Sequence, residues 1–269
     1  NSIEPFMKSG MRLLIVGGGY IGLEAAATAR KFGVDVTLVE IEERILKRVA
    51  AKETSDYIRS LHISNGVKIK EAIGLNKLEI VGEKVVNASL TDGSDTNVDF
   101  VIVGIGITPN TYLAEGANLK INNGILVNEK CQTSVSNIYA AGDCTSFKYK
   151  NTLVRLESVG NAIDQATTVA QNIMKQNTSY TPKPWFWSDQ YDLKLQIAGL
   201  NTGYDEVVVR KGESRQVSHW YYKGQSLLAV DALNDPRCYM IGKRLIEANK
   251  SPSKNQLRDE NFNLKVLLK

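Results

Sequence analysis

Hydrophobic positions along the chain change period several times, and each change marks an element. Arg12–Val16 is a short apolar run with β-branched residues and reads as a strand. Tyr20–Phe32 follows with Ala- and Leu-rich helical text, and Gly33 is a natural stop for it. "VDVTLVE", Val34–Glu40, is the next strand, so the opening segment predicts a βαβ unit. Helical text returns from about Ala50 to Ile63, and "GVKIKEA" reads as a strand. "LEIVGEKVVNASL" predicts a hairpin with its turn near Gly82–Lys84. "VDFVIVGIG", Val98–Gly106, is nearly all apolar, as a buried parallel strand is.

From Pro109 the pattern loosens. Short strands are expected at Gly124–Val127 and Ile138–Ala141, then a long helix from about Asn161 to Lys175. "NTSYTPKP" is a polar, Pro-containing linker and a domain boundary. Beyond it "LKLQIAGL", "DEVVVRK", "RQVSHWYY" and "QSLLAVDAL" are strand-like runs separated by turn residues. A helix is expected over Pro236–Asn249, followed by a polar tail. There is no internal repeat and no low-complexity tract.

Bulk properties narrow the class. At 269 residues the chain has room for about two domains of roughly 150 residues. Its 43% hydrophobic and 23% charged residues suit a globular protein. No apolar run approaches a membrane span, and no signal peptide is visible. Cys131, Cys144 and Cys238 form no C-x-x-C pair, and with two histidines besides, no metal site is expected. That usage suits a reducing cytoplasm. Net charge is +4, too weak for a nucleic-acid footprint. All of the excess lies after Thr181, where 14 Lys/Arg meet 10 Asp/Glu. This is a solvated face, or a docking face for an acidic partner. The chain opens at Asn1 rather than Met and is expected to be trimmed, or cut from a longer reading frame.

The sharpest motif is "LLIVGGGYIGLE", Leu13–Glu24, in which Gly17, Gly19 and Gly22 spell G-x-G-x-x-G. Alone the motif is weak; here it follows a strand and opens a helix, the context of a dinucleotide loop. Gly17 allows the tight turn, Gly19 lets backbone approach a pyrophosphate, and Gly22 lets helix and strand pack. Glu40 closes the second strand, where its carboxylate accepts from an adenosine ribose and repels a 2′-phosphate, favouring NAD(H) over NADP(H). FAD sites use the same fingerprint. "IYAAGDC", Ile138–Cys144, has the look of the closing half of a flavin site, T-x(n)-h-h-A-h-G-D from Thr133; as a bare pattern it is also a turn.

Four segments together, "IVGGGYIGLEAAA", "DFVIVGIGITPN", "NIYAAGDC" with "VRLESVGNA", and "PWFWSDQYDLKLQIAGL", make the chain resemble the NADH-dependent ferredoxin reductases that serve oxygenases, among them putidaredoxin and rubredoxin reductases. The resemblance covers essentially the whole chain, and the fourth segment is the one most particular to the group. It implies an α/β fold: a Rossmann-like NADH-binding domain (1–106), the C-terminal half of a second, FAD-binding Rossmann-like domain (107–178), and a C-terminal α+β reductase domain (179–269). In that family the flavin domain is split in sequence, and its first half precedes the NADH domain. The chain is therefore expected to be the C-terminal two-thirds or so of a reductase, complemented by the missing N-terminal FAD half.

The resemblance also implies roles. Gly17, Gly19, Tyr20, Ile21 and Gly22 hold the NADH pyrophosphate, Glu40 a ribose, and Arg48 lies against the adenosine, unless it is an ordinary solvated surface arginine. Gly104 and Gly106 pass close to NADH. Glu24 corresponds to the carboxylate beside flavin and nicotinamide that pairs with a lysine of the missing half; an ordinary carboxylate near a helix N-terminus would look the same. On the flavin side Gly142 and Asp143 reach the ribityl chain, and the backbone at Glu157, Ser158 and Val159 approaches the ring. Some relatives carry Trp where Val159 stands. Of Trp185 and Trp187, Trp187 is the one expected near FAD at the docking surface, unless both are ordinary core tryptophans. The implied cofactors are FAD and NAD(H), and the implied partner is a [2Fe–2S] ferredoxin or rubredoxin, expected to be acidic. Apoptosis-inducing-factor-like and monodehydroascorbate-reductase-like proteins share the first three segments, and a non-catalytic NADH-binding fragment is a further alternative. A disulfide reductase is disfavoured because the C-x-x-C of thioredoxin-reductase types is absent and His219 sits in strand text.

Overall fold

The computed structural model describes residues 3–150 and 152–268; Asn1, where the trimming was inferred, lies outside them. Two compact units emerge. Unit 1 takes the chain up to Gly106, Trp187–Gln196 and the chain from Asn201 onward; unit 2 takes Ile107–Phe186 and Ile197–Leu200.

Unit 1 opens with β1 (Arg12–Val16), α1 (Tyr20–Lys31), β2 (Asp35–Glu40), α2 (Lys52–Ser64) and β3 (Lys68–Glu71). A meander of β4 (Leu75–Val81), β5 (Lys84–Leu90) and β6 (Asp95–Asn97) leads to β7 (Phe100–Val103). The parallel sheet has the order β3-β2-β1-β7, with Leu13 paired to Val36 on one side and Phe100 on the other. β1 is central, so Leu13, Leu14 and Ile15 are all buried: both of its faces are covered, which is why the run is apolar without alternation. Ala88, Leu90 and Val98 of the meander pack on Leu14 and Val39. The expected strand over Val98–Gly106 is shorter than the apolar text. It stops at Val103, paired with Val16, because its partner β1 ends there and the chain turns at Gly17, φ +109°.

Unit 2 holds α3 (Tyr112–Gly116), β8 (Ile125–Leu126), β9 (Thr145–Tyr149), β10 (Thr152–Val154) and α4 (Val159–Ile173). Its sheet runs β10-β9-β8. The expected strand at Ile138–Ala141 does not form; Tyr139 makes one isolated bridge to Gln132. Local bonds serve its backbone instead: Ile138 N–H donates to Val135 O and Ala140 N–H to Cys131 O. The "NTSYTPKP" stretch is tied down as well. Tyr180 packs with Cys131, Phe147 and Leu156 and donates to Asn161 Oδ1 at 2.7 Å, while the Asn172 amide bonds Lys130 O and both backbone groups of Thr178.

The remaining elements are β11 (Trp185–Gln190), β12 (Leu193–Gly199), β13 (Glu206–Lys211), β14 (Val217–Lys223), β15 (Ser226–Leu233), α5 (Pro236–Glu247) and α6 (Lys254–Arg258). The five strands form one sheet in the order β11-β12-β15-β14-β13. On β14, Trp220, Tyr221 and Tyr222 are fully buried in succession, so this sheet is covered on both faces there. Each polar tip is satisfied. Trp220 Nε1 donates to Ser218 Oγ at 2.9 Å and Tyr222 donates to Pro252 O at 2.8 Å. Tyr221 accepts from Ala51 N–H at 3.0 Å and donates to Asp231.

The segment read as a polar tail is folded. Leu257 and Leu264 are buried, and Ser253 and Gln256 form a capping box for α6. Its anchor is Arg210, 8% exposed, whose guanidinium donates to the carbonyls of Gln256, Leu257, Asp259, Glu260 and Phe262. Nη1 faces three of these carbonyls and Nη2 two, so the four N–H groups at the tip of the cation are all engaged and one is shared. Arg210→Met keeps the bulk but strands these carbonyls; a loss of roughly 3 kcal/mol is expected. Denaturant melts should show it, with proteolysis after Pro252 appearing first; an unchanged midpoint would contradict this anchoring.

Behind Tyr221 lies a buried polar cluster. Thr54 Oγ1 donates to Asp231 Oδ2 at 2.7 Å and sits 2.7 Å from His219 Nδ1, so Nδ1 carries the proton and donates to Thr54. Burial pushes His219 down to about 4 and Asp231 up to about 6. The two act with opposite sign. The unfolded chain protonates its histidine near pH 6.5, so His219 removes stability as pH falls from there toward 4. Asp231 binds its proton more readily when folded, so its contribution is present at low pH and is lost as pH rises through about 6. His219→Gln should therefore gain on the parent as pH drops from 6.5 to 4, by up to roughly 3 kcal/mol in urea titrations. A gap independent of pH would mean that His219 is not buried neutral.

Candidate functional site

The site begins where β1 runs into α1. Gly17 takes φ +109°, and a Cβ there would meet Gly104 O at 2.4 Å. A Cβ on Gly22 would meet Gly17 O at 2.1 Å. Only glycine lets the loop, the helix and the end of β7 come this close. Gly104 N–H bonds Val16 O at 2.8 Å, completing the joint. Gly19 is the N-cap of α1, and a Cβ there would touch nothing within 4 Å, so the space in front of the helix is open. The first N–H groups of α1 have no carbonyl within the helix to bond and face the end where anions are favoured. Ile21 is exposed. Tyr20 turns its side chain inward instead. Its hydroxyl is buried without a partner among the described residues, and burial raises its pKa strongly. Only the Tyr20 backbone is left for a ligand at the loop.

Glu40 stands at the end of β2. Its Oε2 accepts from Gly18 N–H at 2.6 Å and its Oε1 from Glu42 N–H at 2.9 Å. The carboxylate is thereby fixed against the glycine loop while retaining lone pairs for further donors. Arg48 is exposed in the segment that follows. That segment is braced by Arg44, which donates to Ala50 O at 2.9 Å and to the Ser55 hydroxyl. Sequence reasoning missed Gly18 and Arg44; the first acts through its backbone and the second carries no motif. Gly106 lies past β7 in an exposed stretch.

Glu24 sits one turn into α1, half-buried, and Ser188 Oγ of β11 donates to its Oε1 at 2.5 Å. This serine was also missed. The available signal was a polar pair, Ser188 and Gln190, at alternating positions of β11, both of them buried. Trp187, immediately before Ser188, falls on the opposite side of the strand and is 45% exposed.

In unit 2, Gly142 takes φ +87° and its N–H donates to Gln165 Oε1 at 2.7 Å; the Thr145 hydroxyl reaches the same oxygen at 2.9 Å. Gln165 thus fixes the turn that presents Asp143 to solvent. Ser158 caps α4, accepting from Asn161 N–H at 3.3 Å, and Val159 is 54% exposed at its first turn. Glu157 pairs with Arg155 at 2.5 Å. Trp185 packs against this helix start: a Cβ on Gly160 would meet its Nε1 at 2.4 Å. Structure therefore gathers Gly17–Glu24, Glu40 and Gly104 in unit 1, and Gly142, Asp143 and Glu157–Val159 in unit 2.

Comparison with known proteins fits this arrangement. The profile described as pyridine nucleotide-disulphide oxidoreductase matches residues 3–166, and the one described as reductase C-terminal matches residues 185–268. Rhodocoxin reductase of Rhodococcus erythropolis is 38% identical over 99% of this chain and 63% of its own length. Putidaredoxin reductase of Pseudomonas putida is 39% identical over 96% of this chain and 62% of its own length. A crystal structure of the covalent putidaredoxin reductase–putidaredoxin complex superposes with TM-score 0.94 at 38% identity, covering 99% of this chain and 65% of that one. The chain thus spans a little under two-thirds of the length of these relatives. No helix among the described residues is long and apolar enough to cross a membrane. On the match over residues 3–166, the chain belongs to the pyridine nucleotide-disulphide oxidoreductase family.

Proposed function

We propose that this chain supplies the NADH-binding and C-terminal parts of a flavoprotein that passes electrons from NADH through FAD to a small iron–sulfur protein. The observation that carries the reading is the glycine loop locked to Glu40. It sits in a chain that aligns over nearly its whole length with reductases named for rhodocoxin and putidaredoxin.

The residues present fit NAD(H). Space is open over Gly19, the unpaired helix amides suit a pyrophosphate, and the fixed Glu40 carboxylate suits ribose hydroxyls while repelling a 2′-phosphate. Arg48 is free to lie over the adenosine. They fit the flavin end of FAD as well: Gln165 fixes the Gly142–Asp143 turn, Asp143 is exposed, and α4 opens at Ser158–Val159. The described residues hold one glycine phosphate loop, and NAD(H) uses it.

When bound, the two cofactors supply hydride donation and release of electrons one at a time. This chain's residues bind, orient and exclude water. Glu24, held by Ser188, places a negative charge at the start of the dinucleotide helix, beside the expected nicotinamide. The basic excess after Thr181 suits an acidic iron–sulfur partner through weak, salt-sensitive docking. Trp187, 45% exposed, is on hand for such a surface.

Two outcomes follow. Glu40→Ala removes a ribose acceptor and the tether of Gly18, so NADH affinity should fall about ten- to a hundred-fold in fluorescence titrations, with the preference over NADPH narrowed. Unchanged affinity would remove the loop from the reading. Second, this 269-residue polypeptide should bind NADH yet purify without stoichiometric flavin. An absorbance band near 450 nm that NADH bleaches would show that the described residues hold FAD unaided.

A further inference from the structure

Glu24 is the end of a longer buried string. Ser188 Oγ donates to Glu24 Oε1 at 2.5 Å, and Gln190 Nε2 donates to Ser188 Oγ at 3.0 Å. Gln190 Oε1 lies 2.7 Å from His62 Nε2, and Tyr191 OH lies 3.4 Å from His62 Nδ1, the two rings meeting edge to face at 5.1 Å. Ser188, Gln190 and His62 are each at most 1% exposed. Its residues come from α1, α2, β11 and the turn after β11, and all of them lie within unit 1.

The direction of every bond follows from the carboxylate. A carboxylate only accepts, so the single Ser188 proton must point at Glu24. Ser188 is then left as acceptor, which turns the Gln190 amide so that its nitrogen faces Ser188 and its oxygen faces His62. His62 must therefore carry its proton on Nε2, leaving Nδ1 to accept from Tyr191. Burial lowers the His62 pKa, consistent with a neutral ring. Donors run in one sense from Tyr191 to Glu24. Packing alone is met by apolar side chains at these buried positions; three polar ones are tolerated because they satisfy one another as a set.

We propose that Ser188, Gln190 and His62 are positioning residues that fix the rotamer of Glu24 and orient its carboxylate, with the tautomer of His62 slaved to that carboxylate. The proposal rests on the reading that Glu24 borders the nicotinamide site, and deepens it: the orientation of this carboxylate is set from within the fold, by a strand of the C-terminal region.

The chain has only two histidines, so ¹⁵N imidazole signals can be assigned with His219→Gln. The parent should show His62 as the neutral Nε2–H tautomer. Glu24→Gln supplies a donor to Ser188, lets the string reverse, and should populate Nδ1–H. Ser188→Ala should make His62 indifferent to Glu24→Gln, Ser188→Thr should restore the dependence, and an unchanged His219 signal reports an intact fold. A parent His62 protonated on Nδ1, or one that ignores Glu24→Gln, would overturn the proposal without involving any ligand. Saturating NADH should shift the His62 signal in the parent and not in Ser188→Ala. NADH that binds by fluorescence yet leaves His62 unmoved would sink the positioning role while keeping the dinucleotide site. A chain that fails to bind NADH but keeps the tautomer coupling would sink the functional reading and leave the string standing.

Discussion

The close approach of three backbones at Gly17, Gly22 and Gly104 is the constraint on which unit 1 is built. Any side chain at Gly17 or Gly22 would stand about two ångströms from a carbonyl oxygen, so the end of β1, the start of α1 and the end of β7 meet without side chains between them. That contact leaves the helix terminus facing open space and brings the Gly18 amide within reach of Glu40. Residues with no covalent connection are thus arranged around one short loop. The chemistry expected there follows from backbone geometry before any side chain is considered.

The C-terminal strands are not an independent appendage to this loop. Ser188 of β11 reaches Glu24 on α1, Tyr221 of β14 receives the amide of Ala51, and His219 and Asp231 share Thr54 of α2. These links are buried and directional. They tie the helices flanking the parallel sheet to a second sheet that lies more than a hundred residues away in the chain. What the glycine joint leaves loose, the rotation of α1 and α2 side chains, these contacts settle.

Legibility in the sequence tracked how local each cause is. The βαβ opening, the β4–β5 hairpin, α4 and α5 were readable because periodicity and stop residues are properties of neighbouring positions. Gly17, Gly22 and Glu40 were readable because their spacing encodes a known joint. Ile138–Ala141 misled because its apolar text finds bonds in a local turn, whereas β9 and β10 next to it carry mixed text. β11 was hidden by its aromatic and polar alternation, and with it Ser188 and Gln190, whose partners come from α1 and α2. The last segment read only as a polar tail because its anchor is one arginine far upstream. Long-range pairings of polar groups leave no trace in a window of ten residues.

That arginine has a consequence for how changes in this protein combine. The guanidinium of Arg210 and the five carbonyls of residues 256–262 are two sides of a single interaction. Removing either side leaves the other buried and unmet. Removing both takes away the grievance together with the contact. Substitutions at Arg210 and alterations of the tail will therefore be strongly non-additive, each masking the other, although they lie some fifty residues apart in sequence. To a genetic screen, one end of β13 and the segment 256–262 will behave as a single locus.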